Sequence, residues 1–119
     1  MIHYRAGLGD DPERKVELPY GYIEFRYAPG NTCEIVNIEV EGEHRGQGIG
    51  RRLIEMLFEE VVKMDVHNVY AITRTDNLIA QQFYEKLRFE VTGVLRRFYR
   101  SDGRCVDAIM YGRSPKGPV

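Results

Sequence analysis

Hydrophobic and polar positions change period along this chain, and the changes mark its elements. Ile2 to Arg5 has the make-up of a short strand, and the residue types of Gly7 to Pro12 favour bends. A second extended stretch is expected from about Tyr20 to Tyr27. Ala28-Pro29-Gly30-Asn31 is a turn signal, and Cys33 to Val40 (CEIVNIEV) is β-branched and mostly apolar, as a buried strand requires. From Gly48 onward the period becomes helical. Ile49, Leu53, Met56, Leu57 and Val61 fall on one face, with Arg51, Arg52, Glu55, Glu59 and Lys63 on the other. His67 to Arg74 returns to strand character. Asp76 is the expected N-cap of a second helix, in which Ile79, Phe83 and Leu87 form an apolar stripe. Two last strands, about Glu90 to Tyr99 and Arg104 to Tyr111, flank Ser101-Asp102-Gly103, where Asp-Gly signals a tight hairpin.

The expected order is therefore β-β-β-α-β-α-β-β. Helices between strands require a mixed sheet with helices on its faces, which places the fold in the α/β (α+β) class. At 119 residues the chain suits one domain, 1–119, with the Pro/Gly-containing tail 114–119 expected to fray.

Composition narrows the function. A hydrophobic fraction of 43% is ordinary for a globular protein, and a net charge of -1 gives no global attraction to nucleic acid or anionic lipid. No apolar run approaches the roughly 20 residues that span a bilayer, and the first residues lack a signal-peptide core, so a cytoplasmic location is expected. Cys33 and Cys105 are far apart and read as reduced thiols, while His3, His44 and His67 are scattered, so no metal site is expected.

Chemistry concentrates where the buried strand passes into the first helix through Arg45-Gly46-Gln47-Gly48-Ile49-Gly50. A glycine-rich turn at a helix start offers unpaired backbone N–H groups at the positive end of the helix dipole, which makes an anion site. Glycines without Cβ let a phosphate approach, and Arg45 and Arg51 add charge at the rim. A nucleotide-hydrolase loop is excluded because no lysine is followed by Ser or Thr. The glycine spacing also departs from the G-x-G-x-x-G of dinucleotide folds.

The turn resembles the pyrophosphate signature of the GNAT acetyltransferase superfamily: arginine or glutamine, two residues, glycine, one residue, glycine or alanine. Arg45, Gly48 and Gly50 match its defined positions. Asn77, Ala80 and Tyr84 are similar to the family's second block, N-x-x-A-x-x-x-Y-x-x-x-G-F, with Arg88 standing where the glycine belongs. Arg96 to Tyr99 and Asp107 to Met110 resemble the ending of ribosomal-protein alanine and other N-terminal acetyltransferases. The likeness covers about residues 33–111.

This resemblance implies a GNAT-like, mostly antiparallel mixed sheet with two main helices. It implies an acetyl-CoA-dependent N-acetyltransferase that moves acetyl to a primary amine, a protein terminus or a small amine, by direct attack. A non-catalytic acyl-CoA-binding or regulatory module is the alternative. On the same resemblance, the cofactor is held by Ile38, Glu39 and Val40 at the strand end, by Arg45, Gly46, Gln47, Gly48, Ile49, Gly50 and Arg51, and by Asn77. Tyr84 is then the general acid. For the base, Ile72 occupies the position of one branch's glutamate, whereas Glu34 stands at the spacing used by another branch, with Glu39 second. The family's N-terminal helix pair is missing from the pattern, which leaves the acceptor side open for a second copy of the chain or a large accessible protein terminus.

Overall fold

In the computed structural model the described residues are the backbone of 2–5 and all of 13–119. The Gly7 to Pro12 bend region lies outside them. The elements are β1 (Ile2–Arg5), β2 (Glu13–Leu18), β3 (Gly21–Ala28), β4 (Thr32–Val40), a 3-10 turn (Gly42–His44), α1 (Ile49–Val62), β5 (Asn68–Arg74), α2 (Leu78–Lys86), β6 (Glu90–Ser101) and β7 (Arg104–Arg113). The mixed α/β class holds, with one strand more than expected. β2 is missed by hydrophobic pattern because four of its six residues, Glu13, Arg14, Lys15 and Glu17, are charged. It is a strand because it pairs on both sides, with β1 and with β3. Among the described residues no helix precedes Gly42.

The chain divides into two compact units, 1–69 with 114–119, and 70–113. In the first, β1 to β4 form an antiparallel meander. Pro19-Tyr20 joins β2 to β3, with Tyr20 at φ 70. Proline followed by a left-handed residue is the order a type II turn requires. β4 carries a bulge opposite Glu24/Phe25, so that Ile23 faces Ile38 while Phe25 faces Ile35. Helix α1 packs on β2, β3 and β4. It buries Leu53, Ile54, Leu57, Phe58 and Val61 with Val16, Ile23, Phe25, Cys33 and Ile35 of the strands. Of the expected α1 stripe, Ile49 and Met56 are only half-buried.

Gly21 is required where α1 meets the sheet. A Cβ there would stand 2.9 Å from Ile49 Cγ2 and 3.0 Å from the Glu39 carbonyl oxygen. The 114–119 tail, expected to fray, instead returns to α1. Pro115 is buried, and residues 115–119 line a groove with Glu55, Phe58, Glu59 and Val62. The Arg51 guanidinium donates to the Val119 carbonyl at the groove's end.

In the second unit β7 lies between β5 and β6, and β6 and β7 form an antiparallel hairpin. Asp102 and Gly103 both have positive φ, 51° and 72°, which is the twist-matched geometry expected of Asp-Gly. The expected stripe of α2 is corrected. Leu87 is buried as expected, but Ile79 is 70% exposed, and Tyr84, outside the stripe, is buried against Phe89 and Tyr111. The cap is corrected too. Asn77, not Asp76, is the N-cap, its Oδ1 accepting from Ala80 N at 3.1 Å. Asp76 is drawn away by Arg74, whose Nε and Nη2 reach its two oxygens at 2.9 and 3.0 Å. That bidentate pair holds the Asp76 carboxyl below its usual pKa, chiefly by hydrogen bonding. Arg88 has φ 66, so it carries the left-handed conformation that a glycine would occupy without strain.

Candidate functional site

The site begins where β4 ends. Beyond Val40 the chain makes one 3-10 turn, with His44 N–H donating to Glu41 O (2.9 Å) and Arg45 N–H to Gly42 O (3.4 Å), then opens through residues 45–48 into α1. Gly46 and Gly48 have φ 80 and 81, and the space a Cβ would occupy is empty at both. Gly48 is the N-cap and supplies no side-chain cap, and the first turn of α1 holds no acid. The first helical bond is Arg52 N–H to Gly48 O. Among the described residues, no backbone N–H from Gly46 to Arg51 has a hydrogen-bond acceptor. Uncapped donors, absent acids and an exposed, Cβ-free approach together fit a diphosphate, an anion with many acceptor oxygens.

The cations around the turn are held in different ways. Arg45 Nε donates back to Val40 O (3.4 Å). Arg51 is held by Val119, and Arg52 lies 3.8 Å from Glu55 and 3.4 Å from Glu59. Residues Ile38, Glu39 and Val40 run directly into this turn and belong to the same unit. A stacked pair, Tyr20 on His44 (ring centroids 3.6 Å apart, 12° between planes), braces the 3-10 turn. The sequence gives only an indirect signal of it, the Pro19-Tyr20-Gly21 turn.

Glu34 lies in the same unit, on β4. Its side chain is 14% exposed, and its Oε1 takes both Nη2 (2.7 Å) and Nε (2.8 Å) of Arg26 across the β3–β4 pair. Oε2 has no partner among the described residues. Glu39 is exposed on the same strand. Beside them Asn37 Nδ2 donates to the Tyr22 hydroxyl at 3.2 Å.

Asn77 and Tyr84 lie together on α2 in the second unit. Asn77 spends its carbonyl oxygen on the cap and leaves its Nδ2 without a partner among the described residues. The Tyr84 ring is 4% exposed, edge-on to Phe83 and Phe89 (5.3 and 5.2 Å) and stacked on Tyr111 (5.7 Å, 27°). Its hydroxyl makes no hydrogen bond among the described residues. Burial pushes its pKa above the ordinary phenol value, so the group stays protonated through neutral and mildly alkaline pH. Tyr111, whose hydroxyl reaches Glu85 Oε1 at 3.4 Å, was not singled out by motif. Nor was Thr73, a buried β5 hydroxyl with no partner among the described residues. Strand alternation, which buries Val69, Ala71 and Thr73 together, is the only signal that finds Thr73. Ile72, on the other face, contributes its carbonyl to the Tyr99 hydroxyl (3.3 Å).

Among the described residues no cluster of His, Cys, Asp and Glu is arranged to hold a metal. No helix is long and apolar enough to cross a membrane.

An uncapped glycine turn leading from a strand into a helix, with a buried tyrosine on the next helix, is the pattern of one large enzyme class. The chain belongs to the acetyltransferase (GNAT) family, which residues 9–89 match. It is 36% identical over 81 residues to the ribosomal protein bS18-alanine N-acetyltransferase of Escherichia coli K12, covering 67% of this chain and 54% of that protein. It is 39% identical over 83 residues to the N-alpha-acetyltransferase RimI of Mycobacterium tuberculosis, covering 70% and 51%. The chain thus spans about half the length of these relatives. A solved structure of a putative acetyltransferase from Salmonella typhimurium with its cofactor acetyl-CoA superposes with a TM-score of 0.70 at 24% identity, covering 92% of this chain and 67% of that one.

Proposed function

We propose that the chain is an acetyl-CoA-dependent N-acetyltransferase domain acting on a primary amine, a protein N-terminus ahead of a small amine. The observation that carries this reading is the row of unpartnered N–H groups from Gly46 to Arg51 beside open glycine positions. When bound, acetyl-CoA supplies an activated thioester carbonyl. The chain's own contribution is to hold the diphosphate at Gly46 to Arg51, to offer the Ile38–Val40 backbone and Asn77 Nδ2 along the cofactor, and to keep a proton on Tyr84 for the departing thiolate. Tyr84 suits that role because its hydroxyl is protonated and has no competing protein acceptor among the described residues.

Glu34 is the proposed base through Oε2, with Glu39 second. The demand on it is modest for an α-amine. At pH 7.4 about a quarter of α-amines are already neutral, against about one in a thousand lysines. This favours a terminus as acceptor.

The test is thiol release from acetyl-CoA over a panel of peptides and small amines. Tyr84→Phe should lower kcat about hundredfold, the lower end of what a general acid contributes, while leaving acetyl-CoA affinity unchanged. The second reading, an acyl-CoA-binding module without catalysis, draws on Ile72 and on the Arg26–Glu34 ion pair. Acetyl-CoA binding with no thiol release from any acceptor would establish it.

A further inference from the structure

The glycine turn has little of its own to hold it. Residues 45–48 are all exposed, and a Cβ at Gly46 or Gly48 would meet nothing within 4 Å. Among the described residues the backbone N–H groups from Gly46 to Arg51 make no hydrogen bond that would fix their directions. Left to itself, a segment with two glycines at positive φ samples many conformations. Ordering it only when a ligand arrives would weaken binding by the entropy lost.

The β2–β3 turn, Pro19-Tyr20-Gly21, meets this segment on both sides, and all of these residues belong to one unit. On the entry side the Tyr20 ring stacks on half-buried His44, centroids 3.6 Å apart, and Tyr20 O accepts from Glu41 N–H at 2.8 Å. His44 Nδ1 in turn lies 3.4 Å from Gln47 Oε1, in the middle of the glycine turn. On the exit side Gly21 abuts Ile49, the first residue of α1, so closely that a Cβ would stand 2.9 Å from Ile49 Cγ2. Tyrosine is an unusual choice for position 20. It stands at φ 70 in a turn position where Gly or Asn is common, and a bulky left-handed residue is strained. The residue is 50% exposed, so burial repays little of that strain, and among the described residues its one ring partner is His44. Strain of this kind tends to gather at functional positions.

We propose that Tyr20 and His44 are positioning residues for the cofactor, a clamp that orders the glycine turn for a diphosphate before the ligand arrives; the inference rests on the acetyl-CoA reading. The stack fixes the imidazole, the imidazole restrains Gln47, and Gly21 against Ile49 fixes the start of α1. Both ends of the row of open N–H groups are thereby anchored to the β2–β3 turn. Preorganisation lowers the entropy lost on binding and adds no contact to the ligand. It therefore acts on acetyl-CoA affinity and leaves the chemical step alone.

The experiment combines calorimetric titration with acetyl-CoA, NMR order parameters of the Gly46 and Gly48 amides in the free protein, and urea unfolding. The proteins are the unaltered chain, Tyr20→Gly, Tyr20→Phe, His44→Ala and the double variant Tyr20→Gly/His44→Ala. Tyr20→Gly removes the ring and relieves the left-handed strain together, so the urea midpoint should hold while acetyl-CoA binds about fivefold more weakly, within the range of one aromatic pair. The order parameters should fall from about 0.85 toward about 0.6. Tyr20→Phe should keep both properties and His44→Ala should lose both. The double variant should bind no more weakly than the single ones, because the two rings act as a unit. KM for acetyl-CoA should rise in step with Kd at unchanged kcat. Unchanged affinity or unchanged order in Tyr20→Gly overturns the proposal, as does an additive loss in the double variant. A urea midpoint that falls along with affinity in both single variants marks a general defect of the fold and overturns it as well. Looser Gly46 and Gly48 amides in a chain that never binds acetyl-CoA reject the acetyl-CoA reading and leave the clamp. Equal binding and transfer by every variant reject the clamp and leave the enzyme.

Discussion

Arg88 and the two cysteines show what single residues contribute here. With φ 66, Arg88 occupies a glycine's conformation after α2. Arg88→Gly should therefore raise stability by about 1 kcal/mol in urea unfolding, since relief of the left-handed strain exceeds the added chain entropy. Cys33 is buried and its thiol is pushed up to about 12 by desolvation, whereas Cys105 is exposed. Alkylation of the native protein at pH 8 should modify one thiol, and Cys105→Ser should leave none reactive until the chain unfolds. The same shift has a sign in stability. A thiol that ionises near 9 when unfolded and near 12 when folded keeps more protons in the native state, so stability is full below pH 9 and falls as pH rises toward 12. Cys33→Val should flatten that decline in a pH series of melting curves, leaving the part that Tyr84 contributes above pH 10.

Among the elements, β3 and α1 meet closely at Gly21. Gly21→Ala forces a methyl against Ile49 and against the Glu39 carbonyl, a backbone atom that cannot rotate away. A loss of about 1–3 kcal/mol is expected, as for other overpacked sites. Ile49→Ala in the same chain should restore only part of it, which a double-mutant cycle measures. Element type was legible in sequence where one period ran long enough. α1, β4, β5 and the Asp-Gly hairpin are of this kind. β2 was not, because Glu13, Arg14, Lys15 and Glu17 mask a strand made by pairing on two sides. On α2, nine residues offer too few turns to fix the buried face, and the anchoring of Tyr84 among Phe89 and Tyr111 decides it against Ile79. Asp76 and Asn77 are equivalent caps by composition, and only the Arg74 fork distinguishes them.

For the molecule as a whole, ligand binding is the most direct check on the turn. Acetyl-CoA at a hundred times its Kd should stabilise the fold by about 2.7 kcal/mol through mass action. Gly48→Glu puts a carboxylate into the open approach, where L-residues are also strained, and should remove the thermal shift. The open donors of the glycine turn were legible because they are backbone groups whose freedom follows from glycine and helix geometry. The surroundings of the proposed acid and base were less so. The partners of Glu34, the aromatic packing of Tyr84 and the lone hydroxyl of Thr73 all depend on side chains brought together from distant parts of the sequence.

The tail also shapes how the molecule can be handled. Because the Val119 carbonyl meets the Arg51 guanidinium beside the glycine turn, a group attached at Val119 stands at the rim of the proposed cofactor cradle. A purification handle, a fluorophore or a surface tether placed there would crowd the proposed diphosphate entrance, and an acidic one would compete for the same guanidinium. An attachment point at the opposite end of α1, such as its exposed C-cap Lys63, leaves that entrance clear.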